Sequence, residues 1–236
     1  MSNTLTQFGL AQAFLLGEYD GIWDFAMAKQ YGNFGHGTFN GVSGELIVLD
    51  GVFYRIDENG QAHLVSDTLQ TPLCTLVNFA PTQQQTVTAI ADYENGCATL
   101  LTHLTKKNSL HAIKIEANFT NLIVRSETPQ PKPYQPMDKS FLPTQRKFPY
   151  HNKVGTMVGF YTPSYLRNMI LPGFHFHFIS EDRRFGGHVL ELAFDTAQIS
   201  WQEINELRFF MPEDASFQSM NLNADSTLSL HAAEKT

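Results

Sequence analysis

Pro172-Gly173-Phe174-His175-Phe176-His177-Phe178 is the stretch whose reading settles most about this chain. A strand has a side-chain period of two, so the segment would carry His175 and His177 on one face and the phenylalanines on the other. The polar run Ser180-Glu181-Asp182-Arg183-Arg184 suits a hairpin connection. Gly186-Gly187-His188 then brings a third imidazole back on the adjoining strand, and Gly187 permits a bulge or a close backbone approach. Three neutral imidazoles converging in this way suit a divalent transition metal, zinc first, with one coordination position left open for water or substrate. Spacing alone leaves a plainer reading standing, because His-x-His pairs also arise by chance.

Working outward, Glu45 to Leu49 and Val52 to Ile56 read as the two arms of a hairpin closed by Asp50-Gly51, since Asp-Gly accepts the positive φ angles of a type I′ turn. Asp57-Glu58-Asn59-Gly60 makes a second turn into a strand at Ala62 to Val65, and Leu73 to Phe79 reads as a further strand. Before this meander, Phe8, Ala11 and Leu15 at helical spacing predict a helix over Leu5 to Leu16, and Asp20 is placed to cap a second one carrying Trp23, Phe25 and Met27. Pro81 to Asn108 reads as a loop leading into a helix with Leu100, Leu101 and Leu104, followed by one or two strands over Leu110 to Arg125. Thr128 to Pro149 holds six prolines, which exclude a helix or a central strand and suit a segment that wraps the surface or links two subdomains. Beyond it come a strand at Val154 to Tyr161, the histidine hairpin, one or two strands between Ala197 and Phe210, and a short helix capped by Asp214.

The chain has 236 residues, of which 17% are charged and 42% hydrophobic, with nineteen phenylalanines; this is the composition of a packed globular protein. A formal charge of -7 with scattered Lys and Arg argues against nucleic acid, which requires a clustered basic face. No basic segment precedes an apolar core near Met1 and no apolar run is long enough to span a bilayer, so the expectation is a cytoplasmic protein with no membrane partner. Cys74 and Cys97 lack metal-ligand spacing and read as buried free thiols in preference to a disulfide.

Several segments carry a resemblance when taken together and in order. They are Tyr31-Gly32-Asn33-Phe34-Gly35-His36-Gly37-Thr38-Phe39-Asn40, Gly44-Glu45 through Tyr54-Arg55, Val124-Arg125-Ser126, Lys132-Pro133-Tyr134, Val158-Gly159-Phe160-Tyr161-Thr162-Pro163, Pro172 to Phe178 and Gly186-Gly187-His188-Val189. The chain resembles the α-acetolactate decarboxylase family over nearly its whole length. The resemblance implies a β-rich α/β (α+β) fold of two packed subdomains, a mixed sheet with short helices and a β-barrel-like half carrying the metal hairpin. It implies a single unit over residues 1–236, with any subdomain boundary in the Pro-rich stretch 128–150, and a homodimer.

The activity so implied is zinc-dependent decarboxylation of 2-acetolactate to acetoin and carbon dioxide, through a metal-stabilised enediolate that is then protonated. The metal histidines fall on His175, His177 and His188, the active-site threonine and glutamate on Thr38 and Glu45, and the arginine on Arg125. A tail glutamate matches Glu234, with Glu213 and Asp225 as lesser choices. Two positions depart from the family: Ser43 stands where an acidic residue is common, and His36 where an aliphatic one is, which reads as a tolerated turn residue more readily than a substrate contact. The competing readings are another three-histidine lyase or hydrolase, which would leave acetolactate intact, and a non-catalytic metal-binding or sugar-binding barrel.

Overall fold

A computed structural model describes residues 3–140 and 144–222. In chain order the strands are β1 (Thr4–Phe8), β2 (Trp23–Asp24), β3 (Phe34–Thr38), β4 (Glu45–Leu49), β5 (Val52–Ile56), β6 (Ala62–Leu64), β7 (Gln70–Thr71), β8 (Cys74–Val77), β9 (Gln83–Ile90), β10 (Leu110–Ser126), β11 (Arg146–Tyr150), β12 (Lys153–Thr162), β13 (Gly173–Ser180), β14 (Gly186–Ile204) and β15 (Glu206–Phe210). The helices are short: α1 (Ala11–Leu15), α2 (Phe25–Ala28), α3 (Tyr93–His103) and α4 (Ala215–Ser219).

The β-rich, two-part architecture is as expected. A seven-stranded sheet runs β15-β1-β8-β3-β4-β5-β6 and is mixed because β15 lies parallel to β1. A six-stranded antiparallel sheet runs β11-β10-β12-β13-β14-β9. Its barrel character is partial: β10 also pairs with β14, so β10, β12, β13 and β14 close a hydrogen-bonded circuit while β9 and β11 remain edge strands. Between the sheets pack Phe34, Ile47, Ile56 and Val77 from the first and Val158, Phe160 and Ile179 from the second. Inside the curled sheet, Phe119, Phe176, Phe178 and Phe194 pack with Leu100 and Leu104 at the α3 end. Removing these aromatic and aliphatic surfaces from water is the dominant favourable contribution to the fold.

Asp50 and Gly51 have φ of 52° and 80°, and Leu49 pairs with Val52, so the expected type I′ hairpin is formed. Three expectations are corrected. The predicted helix over Leu5 to Leu16 is instead β1 followed by the single turn of α1, because β1 lies between β8 and β15 and buries Leu5, Thr6, Gln7 and Phe8 on both faces. The second helix starts at Phe25, capped by the Asp24 side chain accepting from the Met27 amide at 2.8 Å, while Asp20 accepts from the Tyr134 hydroxyl. The predicted loop after Pro81 contains β9, whose polar Gln83-Gln84-Gln85 start carries no strand-like alternation and which forms against β14. Of the Pro-rich stretch, Arg146–Tyr150 is edge strand β11, and earlier residues cross to the first sheet through Gln130 N donating to Gly41 O and Met137 N to Leu15 O. The α4 helix is capped by Asp214 as expected, Cys74 and Cys97 are free, and no described helix is long and apolar enough to cross a membrane.

Candidate metal centre

Register builds this site. Val158 on β12 faces His177 on β13, His177 faces His188 on β14, His188 faces Arg125 on β10, and Arg125 faces Lys147 on β11. Residues directly opposite one another on neighbouring strands share a face, so one rung of the sheet holds two imidazoles and a guanidinium side by side. His175, two residues before His177, joins that face, and Phe176 and Phe178 fill the core behind it. The first sheet supplies the opposite wall by the same rule. His36 and Thr38 alternate on β3, and Glu45 on β4 faces Thr38.

Gly187 makes the His188–Arg125 rung possible. Its φ is +151°, and a Cβ there would lie 2.4 Å from the Arg125 carbonyl oxygen. Gly187→Ala is therefore expected to destabilise the fold by ~2 kcal/mol or more, since a strained φ and a backbone clash act together. A chemical denaturation midpoint equal to that of the unaltered protein would show that β14 moves away from β10 at no cost.

Three ring nitrogens converge. His175 Nε2 lies 3.2 Å from His177 Nε2 and 2.9 Å from His188 Nδ1. Zinc–nitrogen bonds of ~2.0–2.1 Å in a tetrahedron place neighbouring donors ~3.3 Å apart, and each of these two separations is close to that. His177 Nδ1 is 2.8 Å from the Leu46 carbonyl, which fixes the proton on Nδ1 and leaves Nε2 as a bare lone pair. Burial drives all three imidazoles toward the neutral form that binds metal, His177 down to about 3 and His175 and His188 well below the ordinary range. Glu45 Oε2 stands 3.4 Å from His177 Nε2, and Glu45, His177 and His188 form one grouping able to hold a metal. His36, His175 and His177 form another, with the His36 ring stacked 4.3 Å from that of His175 and 4.8 Å from that of His177. His36 is thus in the wall of the site and not merely a turn residue.

The remaining polar groups surround a cavity of about 870 Å³. Thr38 Oγ1 donates to the Gly44 carbonyl at 2.8 Å, bracing the turn that delivers Glu45. Arg125 is 3% exposed, pairs through Nε with Glu127 Oε1 at 3.3 Å and donates from Nη1 to Gln145 at 3.1 Å. Desolvation and then the neighbouring Glu127 push the Glu45 carboxyl up to about 8, while Arg125 pulls it back. The structure thus brings together His175, His177, His188, Arg125, Glu45 and Thr38 around one cavity; Glu234 and Asp225 lie outside the described residues. Glu213 does not line that cavity. Sequence reading missed Glu127, although a period of two from Arg125 points to it.

Fold and site together define a β-rich protein built around a metal-capable histidine centre in a cavity between its two sheets. The chain belongs to the alpha-acetolactate decarboxylase family, whose sequence model matches residues 5–224. It is 34% identical to the alpha-acetolactate decarboxylase of Brevibacillus brevis over 98% of this chain and 81% of that protein, and 34% identical to the enzyme of Bacillus subtilis over 92% and 85%. The crystal structure of the Bacillus subtilis strain 168 alpha-acetolactate decarboxylase superposes with a TM-score of 0.94 at 32% identity, covering 99% of this chain and 100% of that one. These relatives are carboxy-lyases, which makes this chain an enzyme of that class.

Proposed function

We propose that this protein decarboxylates 2-acetolactate to acetoin and carbon dioxide with zinc held by His175, His177 and His188. The observation that carries the reading is His175 Nε2 standing 3.2 Å from His177 Nε2 and 2.9 Å from His188 Nδ1, beside buried Arg125 and Glu45. Zinc, when bound, supplies Lewis acidity toward the ketone and tertiary hydroxyl oxygens of the substrate. Breaking the bond to the carboxylate leaves an electron pair on carbon, and the adjacent ketone takes it up as an enediolate. Arg125 presents the substrate carboxylate with a planar set of donors and orients it for cleavage. Glu45, on the His177 side of the cavity, moves the proton that converts the enediolate to acetoin and so decides which face receives it. Thr38 keeps Glu45 in place through the Gly44 turn.

Incubating zinc-loaded protein with racemic acetolactate and following acetoin tests the reading directly. Acetoin should appear, with protein-free acetolactate setting the background. Cleavage of esters or amides with acetolactate untouched would replace decarboxylation by a hydrolase. A homodimer in the cytoplasm completes the proposal, supported by the family resemblance and by the free thiols Cys74 and Cys97.

The last part of the proposal concerns Glu234. Gln12 on α1 donates to the Leu222 carbonyl at 2.8 Å, and Phe14 of the same helix lines the cavity, so Leu222 lies against an element of the cavity wall. Truncation before Leu228 should preserve folding and zinc while lowering acetoin formation by ~100-fold, and Glu234→Gln should reproduce much of that loss. A truncated protein as active as its parent would remove Glu234 from the site.

A further inference from the structure

Glu127 has no place in the chemistry above, yet it is among the most buried charged groups of the protein. It is 1% exposed, lines the cavity, and neither of its carboxylate oxygens accepts a hydrogen bond from the described residues. A buried carboxylate in that condition is costly, and an apolar residue of similar volume commonly serves stability as well or better. Among the described residues its ion-pair partner is Arg125, whose Nε is 3.3 Å from Oε1, with both side chains almost fully buried. Gln145 accepts from the Nη1 side of the same guanidinium at 3.1 Å. Lys147, the register partner of Arg125, and Glu45 are the other ionisable groups of this part of the wall. Burial pushes the Glu127 carboxyl above its ordinary range, and Arg125 offsets part of that rise.

We propose that Glu127 is a positioning residue acting through Arg125: as an internal counter-ion it keeps the guanidinium from over-binding the carboxylate that the reaction must release. The inference rests on the decarboxylase reading. In that reaction the C–C bond breaks, the carboxylate departs as neutral carbon dioxide, and the electron pair it leaves goes into the enediolate. A fully unscreened buried guanidinium would stabilise the charged carboxylate more in the ground state than in the transition state, and such binding raises the barrier. A guanidinium already paired through Nε retains donors to orient the carboxylate while holding it less tightly.

The test uses the zinc-loaded protein and Glu127→Gln, which keeps shape and removes charge. Turnover is measured with acetolactate, and affinity with 2-hydroxy-2-methylpropanoate, which has the tertiary hydroxyl and carboxylate but no ketone and so cannot decarboxylate. The expected result is a lower KM and about tenfold tighter binding of the unreactive anion, a lower kcat, and unchanged zinc content. Glu127→Asp should restore the affinity of the parent. A brace without an electrostatic role predicts the reverse signature, weaker anion binding together with lower kcat, and that result, like unchanged affinity, overturns the proposal. Should Glu127→Gln not fold, Gln145→Glu adds a second carboxylate at a half-buried position beside Nη1. It should weaken binding of the anion by about tenfold with kcat within about twofold of the parent; unchanged affinity overturns the proposal. An unaltered protein that forms no acetoin defeats the decarboxylase reading itself, whereas normal turnover with unshifted anion affinities defeats only the role of Glu127.

Discussion

Replacing His177 by alanine is expected to remove bound zinc and acetoin formation together, with activity falling more than ~10³-fold. Of the three proposed ligands, His177 is the most tightly built into the fold. It is 1% exposed, its Nδ1 is fixed by the Leu46 carbonyl from the facing sheet, and its Nε2 looks toward both His175 and Glu45. Alanine at position 175 or 188 should have the same outcome, because two remaining imidazoles leave an incomplete site. Zinc content by atomic absorption, measured on the preparations used for turnover, checks this directly. Chelation should inactivate the parent and added zinc should restore it. Any of the three variants that keeps both metal and turnover would leave the ligand set. His36, which already forms a metal-capable grouping with His175 and His177, would then take its place.

The second large effect is expected from Glu45→Gln, which keeps the shape of the side chain and removes the carboxylate. Zinc should remain bound, since the three imidazoles are untouched, while kcat falls by ~10²–10⁴, the range over which a positioned proton-transfer group contributes. The configuration of the acetoin should also become less uniform, because without Glu45 the enediolate takes its proton from whichever side admits water. Chiral chromatography of the product and steady-state rates measure both. Parent-like rate and enantiomeric ratio would show that Glu45 only fills the space between Thr38 and His177.

Much of the fold was legible wherever short-range chemistry decides. The Asp50-Gly51 turn, the alternation of His175 and His177 against Phe176 and Phe178, the polar hairpin after Ser180 and the Asp214 cap depend on neighbours in the chain, and each forms as the sequence predicts. The helix predicted over Leu5 to Leu16 and the loop predicted after Pro81 failed because β1 and β9 draw their hydrogen bonds from strands far away in sequence. A polar run such as Gln83-Gln84-Gln85 has no strand signal until β14 lies beside it.

For the site, the identities of the three histidines could be read from the sequence, and the family resemblance pointed to Arg125, Glu45 and Thr38. Their arrangement could not. Ile123 pairs with Glu191 but Val124 pairs with Val189, so a bulge in β14 shifts the register by one residue just before the site. Without that shift Arg125 would face Val189 and point away from His188, because a one-residue slip moves a side chain to the other face of the sheet. His36 and Glu127 became visible as parts of the site only once the facing sheet and the curl of β10 had brought them to the cavity. Sequence fixed which chemistry-bearing groups the chain possesses, since turns and alternation act over a few residues. The tertiary structure alone decided which of them share one cavity, since strand register and sheet packing depend on pairings between residues far apart in the chain.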